Sequence, residues 1–321
     1  MRIGALVDQH APVDDVIEDY RRAAETGCRT LWCSQTFDYD TLALLGVVGR
    51  STERVELGTA VVPALTSHPI VLARQVLTAQ AATGGRIVVG IGPSHRPPME
   101  QIFGIPFDAP ATSMREYLSV LLPVINGQDV DFAGKTLSAS TALIHHYRGG
   151  GLSARYQDRH RAPPLDVPGV TAPPVLLAAL GPRMLGLAGA MTQGTIAWMT
   201  GPALTETYIV PAVSEAASKA GRRPPRIVVG NRVCVTSDPD DVRDRLAQWG
   251  RATGELPSYR AVLDRQGAAT IGDLAIIGDE GHVAREISRI ADAGATDFLT
   301  WPWGTDDERW RTVGFVGSLA S

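Results

Sequence analysis

The chain has 321 residues, of which 44% are hydrophobic and 20% are charged, and its formal net charge is −4. This length is enough for a large buried core, and the mild negative charge gives no general attraction to nucleic acid or to anionic membranes. No stretch of about 18 apolar residues predicts a membrane span and no charged-then-apolar leader opens the chain, so we expect a cytoplasmic protein.

In the first half of the chain, short β-branched runs alternate with longer helical patterns. RIGALV precedes PVDDVIEDYRRAAETG, in which Val16, Ile17 and Tyr20 share one helical stripe. RTLWCS precedes TLALLGVVGRS, and RVELGTAVV precedes PIVLARQVLTAQAATGG. RIVVGIG precedes a helix predicted from about Ser113 to Ile125, with Ser113 and Glu116 as a capping box.

The same alternation resumes after residue 174. PVLLAAL pairs with PRMLGLAGAMTQ, GTIAWM with ALTETYIVPAVSEAASKAG, and RIVVGNRVCVT with DPDDVRDRLAQWGRATG, while a helix near Gly281 to Ala293 precedes TDFLTW. Eight strands, each tied to a helix, predict an α/β fold: one (β/α)₈ TIM barrel over residues 1–321, with an insertion after the fourth βα unit. A doubly wound open sheet is the alternative, although such sheets usually stop at five or six strands.

The insertion, residues 131–174, is too long for an ordinary connection, and we predict a lid segment that is mobile over Tyr147–Pro163. Its basic part, residues 144–164, is either a solvated loop or a grip for an anionic ligand. The basic and imidazole side chains of this part are Arg148, Arg155, Arg159, Arg161, His145, His146 and His160. Adjacent histidines without a fixed element define no ligand geometry, so we predict no metal site.

Three cysteines, Cys28, Cys33 and Cys234, form no CxxC pair. This spacing argues against a disulfide framework or a zinc site, and we expect buried core thiols.

The carboxyl ends of barrel strands meet in one pocket, which is where barrel enzymes carry out their chemistry. The fourth strand ends in a polar turn with His95 at its tip, and Gly181-Pro182 follows the fifth. That turn is either a helix N-terminus whose amides bind an anion or simple punctuation between elements. The predicted strand ends carry no paired carboxylates, and the only lysines, Lys135 and Lys219, lie elsewhere. A mouth this poor in acids and bases suits a flat aromatic redox cofactor that carries out the difficult step itself.

Four stretches carry a family resemblance: LGTAVVPALTSHPIVLARQ, LTAQAATGGRIVVGIGPSH, PGVTAPPVLLAALGPRMLGLAG and DAGATDFLTWPWG. Together they resemble the bacterial luciferase-like flavin and deazaflavin oxidoreductases, specifically the branch that uses coenzyme F420. The resemblance implies a non-proline cis peptide at Ala60-Val61 that backs the deazaflavin, and a phosphate-bearing tail held after the fifth strand and near Gly194. From the strand ends and the resemblance together, the predicted cofactor-binding residues are Thr36, Thr59, Ala60, Val61, Gly92, Pro93, Ser94, His95, Leu180, Gly181, Pro182, Arg183 and Gly194.

The chain departs from the sugar-phosphate dehydrogenases of this family at two places. Gln35 and Thr36 stand where those enzymes have an aspartate-histidine pair, and His95 stands where they have a glutamate acid. Oxidation of a sugar alcohol by the same mechanism is therefore not expected. We predict His95 and Gln35 as catalytic residues. His95 either donates a proton as hydride arrives at an adjacent atom, or only bonds the loop or the cofactor ring.

These observations predict an F420-dependent reductase that transfers hydride from reduced deazaflavin to an activated C=C or C=N bond of a small organic molecule. The alternatives are an FMN-dependent luciferase-like monooxygenase and a non-catalytic flavin- or deazaflavin-binding protein. A small-molecule substrate and a homodimer are expected, with no nucleic-acid or membrane partner.

Overall fold

The computed structural model describes residues 1–144, 165 and 167–320. Its centre is a ring of eight parallel strands, each lying where the sequence predicts one. The strands are β1 (Arg2–Leu6), β2 (Thr30–Cys33), β3 (Glu56–Thr59), β4 (Ile87–Gly92), β5 (Val175–Ala178), β6 (Gly194–Trp198), β7 (Arg226–Val235) and β8 (Asp297–Pro302).

The ring is closed, because the last strand pairs with the first. Arg2 of β1 lies opposite Asp297 of β8, and β7 joins β6 to β8. This closure confirms the predicted TIM barrel and excludes the open sheet.

Helices pack around the ring, and the shorter elements lie in the connections. The helices of eight or more residues are α1 (Val13–Glu25), α2 (Thr41–Val48), α3 (Pro69–Ala82), α4 (Pro110–Ile125), α5 (Pro182–Met191), α6 (Val210–Lys219), α7 (Pro239–Trp249), α8 (Pro257–Gln266), α9 (Glu280–Asp292) and α10 (Asp306–Ser318). The shorter elements are strands Val62–Pro63, Asp131–Ala133, Ser138–Ser140 and Ile276–Gly278, helices Pro202–Leu204 and Arg251–Gly254, 3₁₀ turns Ala64–Thr66 and Ile271–Leu274, and π turns Pro98–Ile102 and Thr205–Ile209. In this described part of the chain, no helix is both long and apolar enough to cross a bilayer.

Amphipathic patterns account for the helices that the sequence predicts. In α1 the stripe Val16, Tyr20 and Ala23 is buried, while Asp14 and Asp15 occupy the first turn, where negative charge favours the helix dipole. The three cysteines are free and buried, as expected.

The predicted capping box of α4 is wrong. The helix begins at Pro110, so Ser113 lies inside its first turn and caps nothing. Glu116 instead faces the start of the insertion, where its Oε1 accepts the backbone N–H of Lys135 at 2.9 Å and its Oε2 accepts the N–H and the hydroxyl of Thr136, each at 2.7 Å. Glu116 therefore fixes the turn of the hairpin Asp131–Ser140 to the barrel.

Because of these hydrogen bonds to Glu116, we expect the free energy of unfolding to depend on pH in the acid range. The backbone N–H of Lys135, followed by the Thr136 hydroxyl and N–H, lowers the pKa of Glu116 from 4.5 to about 2. A carboxyl whose folded pKa is depressed contributes stability above its unfolded pKa and loses it as pH falls through the folded value. We expect Glu116→Gln to lower the free energy of unfolding by about 1–2 kcal/mol at pH 6.

Urea unfolding at pH 6, 4 and 2.5 measures this effect. The gap between wild type and Glu116→Gln should narrow steadily between pH 4.5 and 2, whereas the exposed control Glu25→Gln should show no such gap. An equal gap at every pH contradicts the role of the charge.

The connection between β7 and α9, residues 236–279, is larger than one helix. It contains α7, α8 and the strand Ile276–Gly278, which pairs with the upper part of β7 at Val233–Val235. A second apolar cluster, which includes Val242, Leu246 and Leu263, holds this segment on the barrel. The sequence predicts only its first helix, and α10 after β8 was also missed.

Candidate active site

The upper end of the barrel interior is apolar. Side chains that point inward from the strand ends form a layer over the inner core, and Trp198 of β6 lies against Trp301 of β8 with ring centroids 5.1 Å apart. Ala60 and Val61 pack on the same inner cluster from β3. These side chains give the mouth an apolar floor.

The β3–β4 side of the mouth is closely packed. The Ala60-Val61 peptide is cis, as predicted. A side chain at Gly92 would come within 3.1 Å of both Val61 and Ala178, so the strands approach closely here. Thr59 does not face the mouth, because its buried hydroxyl donates to the carbonyl of Gly90 at 2.7 Å and accepts its N–H at 2.8 Å. Thr59 thus joins β3 to β4 beside the wall.

The turn after β5 leaves helix amides open. Gly181 is the N-cap of α5, Pro182 is the first helical residue, and no side chain caps the helix. Gly181, Pro182 and Arg183 are exposed, and the space beside Gly181 is open. Leu180 is half-buried next to them. An uncapped helix N-terminus with room beside it can bind an anion.

Gly194 lies at the other end of the barrel. It is the first residue of β6, pairs with Arg226 at the start of β7, and has a positive φ of 154°. A side chain there would meet the carbonyl oxygen of Arg226 at 1.8 Å. The structure therefore does not bring Gly194 together with the turn at Gly181, and close backbone packing accounts for this glycine.

Gln35 and Thr36, the two site residues predicted at the end of β2, make different contacts. Gln35 bonds only to its own loop: its Oε1 accepts the N–H of Thr41 at 3.0 Å, and its Nε2 donates to the carbonyls of Thr36 and Tyr39 at 3.2 and 3.3 Å. Both ends of this amide are engaged within the loop, while Gln35 also lines a cavity at the strand ends, and its catalytic role stays a prediction. Thr36 accepts Gln9 Nε2 at 2.8 Å and lines the mouth.

His95 follows the turn Gly92-Pro93-Ser94, in which Ser94 has a φ of 66°, uncommon for a residue with a side chain. The half-buried imidazole bonds to α8: its Nε2 lies 3.3 Å from the Tyr259 hydroxyl and its Nδ1 lies 3.4 Å from the Ser258 hydroxyl. Burial lowers the pKa of His95 below 6.5. The imidazole is therefore mostly neutral at pH 7 and can donate one ring N–H.

Within the described residues, the cavities at this end of the barrel include two that Thr36 lines. The first, about 510 Å³, lies between the β2, β3 and β4 ends and is lined by Val62, Pro63 and Ser94 among others. The second, about 270 Å³, lies at the β1, β7 and β8 ends and is lined by Asp8, Arg232 and Trp301 among others. Both have sizes suited to parts of a small-molecule site.

Arg232, Trp249 and Tyr259 belong to this site and were missed by the sequence analysis. Arg232 interrupts the apolar run of β7, which is a signal that the sequence does contain. Trp249 and Tyr259 come from the segment 236–279, for which the sequence gives no position relative to the mouth. The basic and imidazole residues of the predicted lid lie outside the described residues. They are His145, His146, Arg148, Arg155, Arg159, His160 and Arg161.

A closed βα barrel with an apolar floor and an uncapped helix N-terminus at its mouth is typical of a cofactor-dependent barrel enzyme. A family model described as Luciferase-like monooxygenase matches residues 1–309. The chain therefore belongs to the luciferase-like monooxygenase family of oxidoreductases, which confirms the resemblance.

The chain is also similar to individual members of known activity. It is 26% identical to the 5,10-methylenetetrahydromethanopterin reductase of Methanopyrus kandleri, over 89% of this chain and 88% of the relative. It is 28% identical to the F420-dependent glucose-6-phosphate dehydrogenase of Beutenbergia cavernae, over 83% of this chain and 69% of the relative. The solved structure of the coenzyme F420-dependent tetrahydromethanopterin reductase from Methanopyrus kandleri superposes with a TM-score of 0.76, at 21% identity, over 98% of this chain and 96% of that one. This last likeness shows that the two share a fold.

Proposed function

We propose that this protein is an F420-dependent oxidoreductase, and specifically a reductase that transfers hydride to an activated C=C or C=N bond of a small organic substrate. The observation that carries the proposal is the pairing, at one barrel mouth, of an apolar wall with an uncapped helix N-terminus. The wall consists of Ala60, Val61 and Gly92, and the helix begins at Gly181. F420 has matching parts: a flat aromatic head and a phosphate-bearing tail. The F420 dependence named for the glucose-6-phosphate dehydrogenase relative supports the same cofactor.

The residues at the mouth fit this division of labour. When bound, the reduced deazaflavin supplies the hydride. Ala60, Val61 and Gly92 would support its ring, while the open amides of α5 would hold the charged tail. His95, whose imidazole is hydrogen-bonded to the hydroxyls of Tyr259 and Ser258, would be the proton donor at the mouth. If the neutral ring donates, a second proton must reach the imidazole as its own leaves, and the Tyr259 hydroxyl at 3.3 Å is placed to relay one from solvent, so that Tyr259 itself ends neutral.

The FMN-dependent monooxygenase remains a second candidate because the matched family model is described as a luciferase-like monooxygenase. Titration of the purified protein with F420 and with FMN separates the two, and we expect F420 to bind at least about tenfold more tightly, a difference of about 1.4 kcal/mol. Reduced F420 should then be reoxidised anaerobically by cyclohex-2-en-1-one, followed through the deazaflavin absorbance. Tighter FMN binding with oxygen consumption favours the monooxygenase.

The third candidate, a non-catalytic binding protein, has its own outcome. Tight binding of F420 without reoxidation by a panel of activated alkenes and imines supports it. Binding of neither F420 nor FMN rejects all three.

A further inference from the structure

Arg232 is a buried cation without a hydrogen-bond acceptor. It lies in the upper half of β7, and only 7% of its surface is exposed. Among the residues that the structure describes, no carboxylate, carbonyl or hydroxyl accepts a hydrogen bond from its guanidinium. Burial without a paired acceptor is costly for a charged group, so such a residue calls for an explanation.

Three indole rings surround this guanidinium. Its Cζ atom lies 3.6 Å from the ring centroid of Trp301, 4.6 Å from that of Trp249 and 5.1 Å from that of Trp303. Ring faces attract a cation but accept no N–H in the guanidinium plane, so the five donors stay available. Burial lowers the pKa of Arg232 to about 9, the negative charge of Asp8 opposes this, and the side chain therefore stays charged at pH 7.

The charges nearby do not satisfy Arg232. Asp8 lines the same cavity of about 270 Å³, but its Oδ2 accepts Arg309 at 2.7 Å and its Oδ1 accepts the N–H groups of Gln9 and His10 at 2.7 and 3.1 Å. Burial opposes these bonds, yet the bonds and the charge of Arg309 prevail and lower the pKa of Asp8, so Asp8 is ionised and already paired at pH 7.

A second donor at this cavity also lacks a partner. The indole Nε1 of Trp303 is buried and, within the described part of the chain, has no acceptor. Arg232 and Trp303 therefore both line a cavity whose other walls combine the indoles of Trp249, Trp301 and Trp310 with charged side chains, among them Asp8, Asp19 and Arg309. We call Arg232, Trp249, Trp301 and Trp303 the arginine cage.

We propose that the arginine cage binds the oxyanion of a substrate, a carboxylate or a phosphate carried on a flat apolar body. A planar guanidinium matches the two oxygens of an oxyanion, and the indole faces match an aromatic or conjugated body. The cage lies at the β7 and β8 ends, whereas the wall and the uncapped helix that would hold the cofactor lie at the β3, β4 and β5 ends. Assigning the oxyanion to the substrate rather than the cofactor rests on the proposed function.

Isothermal calorimetry with small probes tests the cage, using the full chain with and without F420. The probes are benzoate, phenyl phosphate and, as the neutral control, benzamide. We expect an oxyanion probe to bind at least about tenfold more tightly than benzamide, and Arg232→Met to weaken it by about 10- to 100-fold. Preference for benzoate identifies a carboxylate substrate, and preference for phenyl phosphate identifies a phosphate.

The matched control is Arg243→Met in α7. The guanidinium of Arg243 lies 2.9 Å from the carboxylate of Asp240 and does not line the cavity, so this substitution should leave the affinity for the probes unchanged. Arg232→Met removes an unpaired buried charge, so the melting temperature of this variant should not fall below that of the wild type. An unchanged melting temperature shows that weaker probe binding is not caused by unfolding. Equal affinity for benzamide and both anions, or unchanged affinity in Arg232→Met, overturns the cage as an anion site.

The cofactor provides an independent readout. F420 affinity should stay within about twofold in Arg232→Met, since the cage is not part of the cofactor wall. If that substitution weakens F420 tenfold and F420 displaces the probe, Arg232 binds the cofactor and the substrate assignment is wrong. If the probes bind through Arg232 but F420 does not bind at all, the anion site stands and the proposed function falls.

Discussion

Arg226→Met should be the most destabilising single change that we consider, lowering the free energy of unfolding by about 3–5 kcal/mol. Arg226 is the first residue of β7, at the end of the barrel opposite the mouth. Its Nη2 lies 2.6 Å from Glu56 Oε1 and 2.5 Å from Asp297 Oδ1. The side chain of Asp297 is only 3% exposed. Without Arg226, this buried carboxylate keeps only the half-exposed Arg2 at 3.0 Å and the Thr296 hydroxyl at 2.7 Å, so the cost is that of an under-compensated buried charge.

Urea unfolding of two further variants isolates that cause. Arg2→Met removes a partner that is 48% exposed and should cost no more than about 1 kcal/mol. The double variant Arg226→Met/Asp297→Asn should be less destabilised than the sum of its two single variants, because the second change removes the charge that the first leaves unpaired. Strict additivity would show that Arg226 acts through packing alone.

The barrel was predictable because its strands are buried on both faces. Runs such as Ile87–Gly92 are continuously apolar, and their regular spacing fixes the number of units without any knowledge of contacts. The capping box was not predictable in the same way: Ser113 and Glu116 have the right spacing, but Glu116 bonds to a hairpin almost twenty residues further along. Local spacing cannot distinguish a cap from an anchor.

The site was predictable only where it depends on strand ends. His95 follows directly from the end of β4, whereas its partner Tyr259 is 164 residues away on a helix that the strand-helix rhythm does not place. Arg232 shows an intermediate case. Residues in a strand alternate between two faces, so counting by two from Val228 through Gly230 puts Arg232 inside the barrel, and an inward arginine in an apolar strand was a readable sign. Gln35 stands at a family position with a departing residue type, and the sequence does not show that its side chain bonds within its own loop.

His95→Ala should lower the rate of the proposed reduction by about 100-fold while leaving F420 affinity within about twofold. Positioned proton transfer commonly contributes about 10²- to 10⁴-fold, and the hydride transfer itself does not use the imidazole. Burial lowers the pKa of His95 below 6.5, so the protonated fraction grows only as pH falls through that lowered value. If the imidazolium is the donor, the wild-type rate rises toward acid pH with an apparent pKa below 6.5; if the neutral ring donates, the rate falls there instead.

Single-turnover reoxidation of reduced F420 by cyclohex-2-en-1-one, measured between pH 5 and 8, distinguishes these cases, and in either of them His95→Ala should remove the pH limb. Tyr259→Phe is the matched control, because it keeps the ring that packs 4.9 Å from the imidazole and removes only the hydroxyl that bonds to Nε2. It should slow turnover less than His95→Ala, since His95 remains and bulk water can still reprotonate it slowly. A wild-type rate and pH profile in His95→Ala would leave His95 as a loop residue and move the proton donor to another group, without affecting hydride transfer from the deazaflavin.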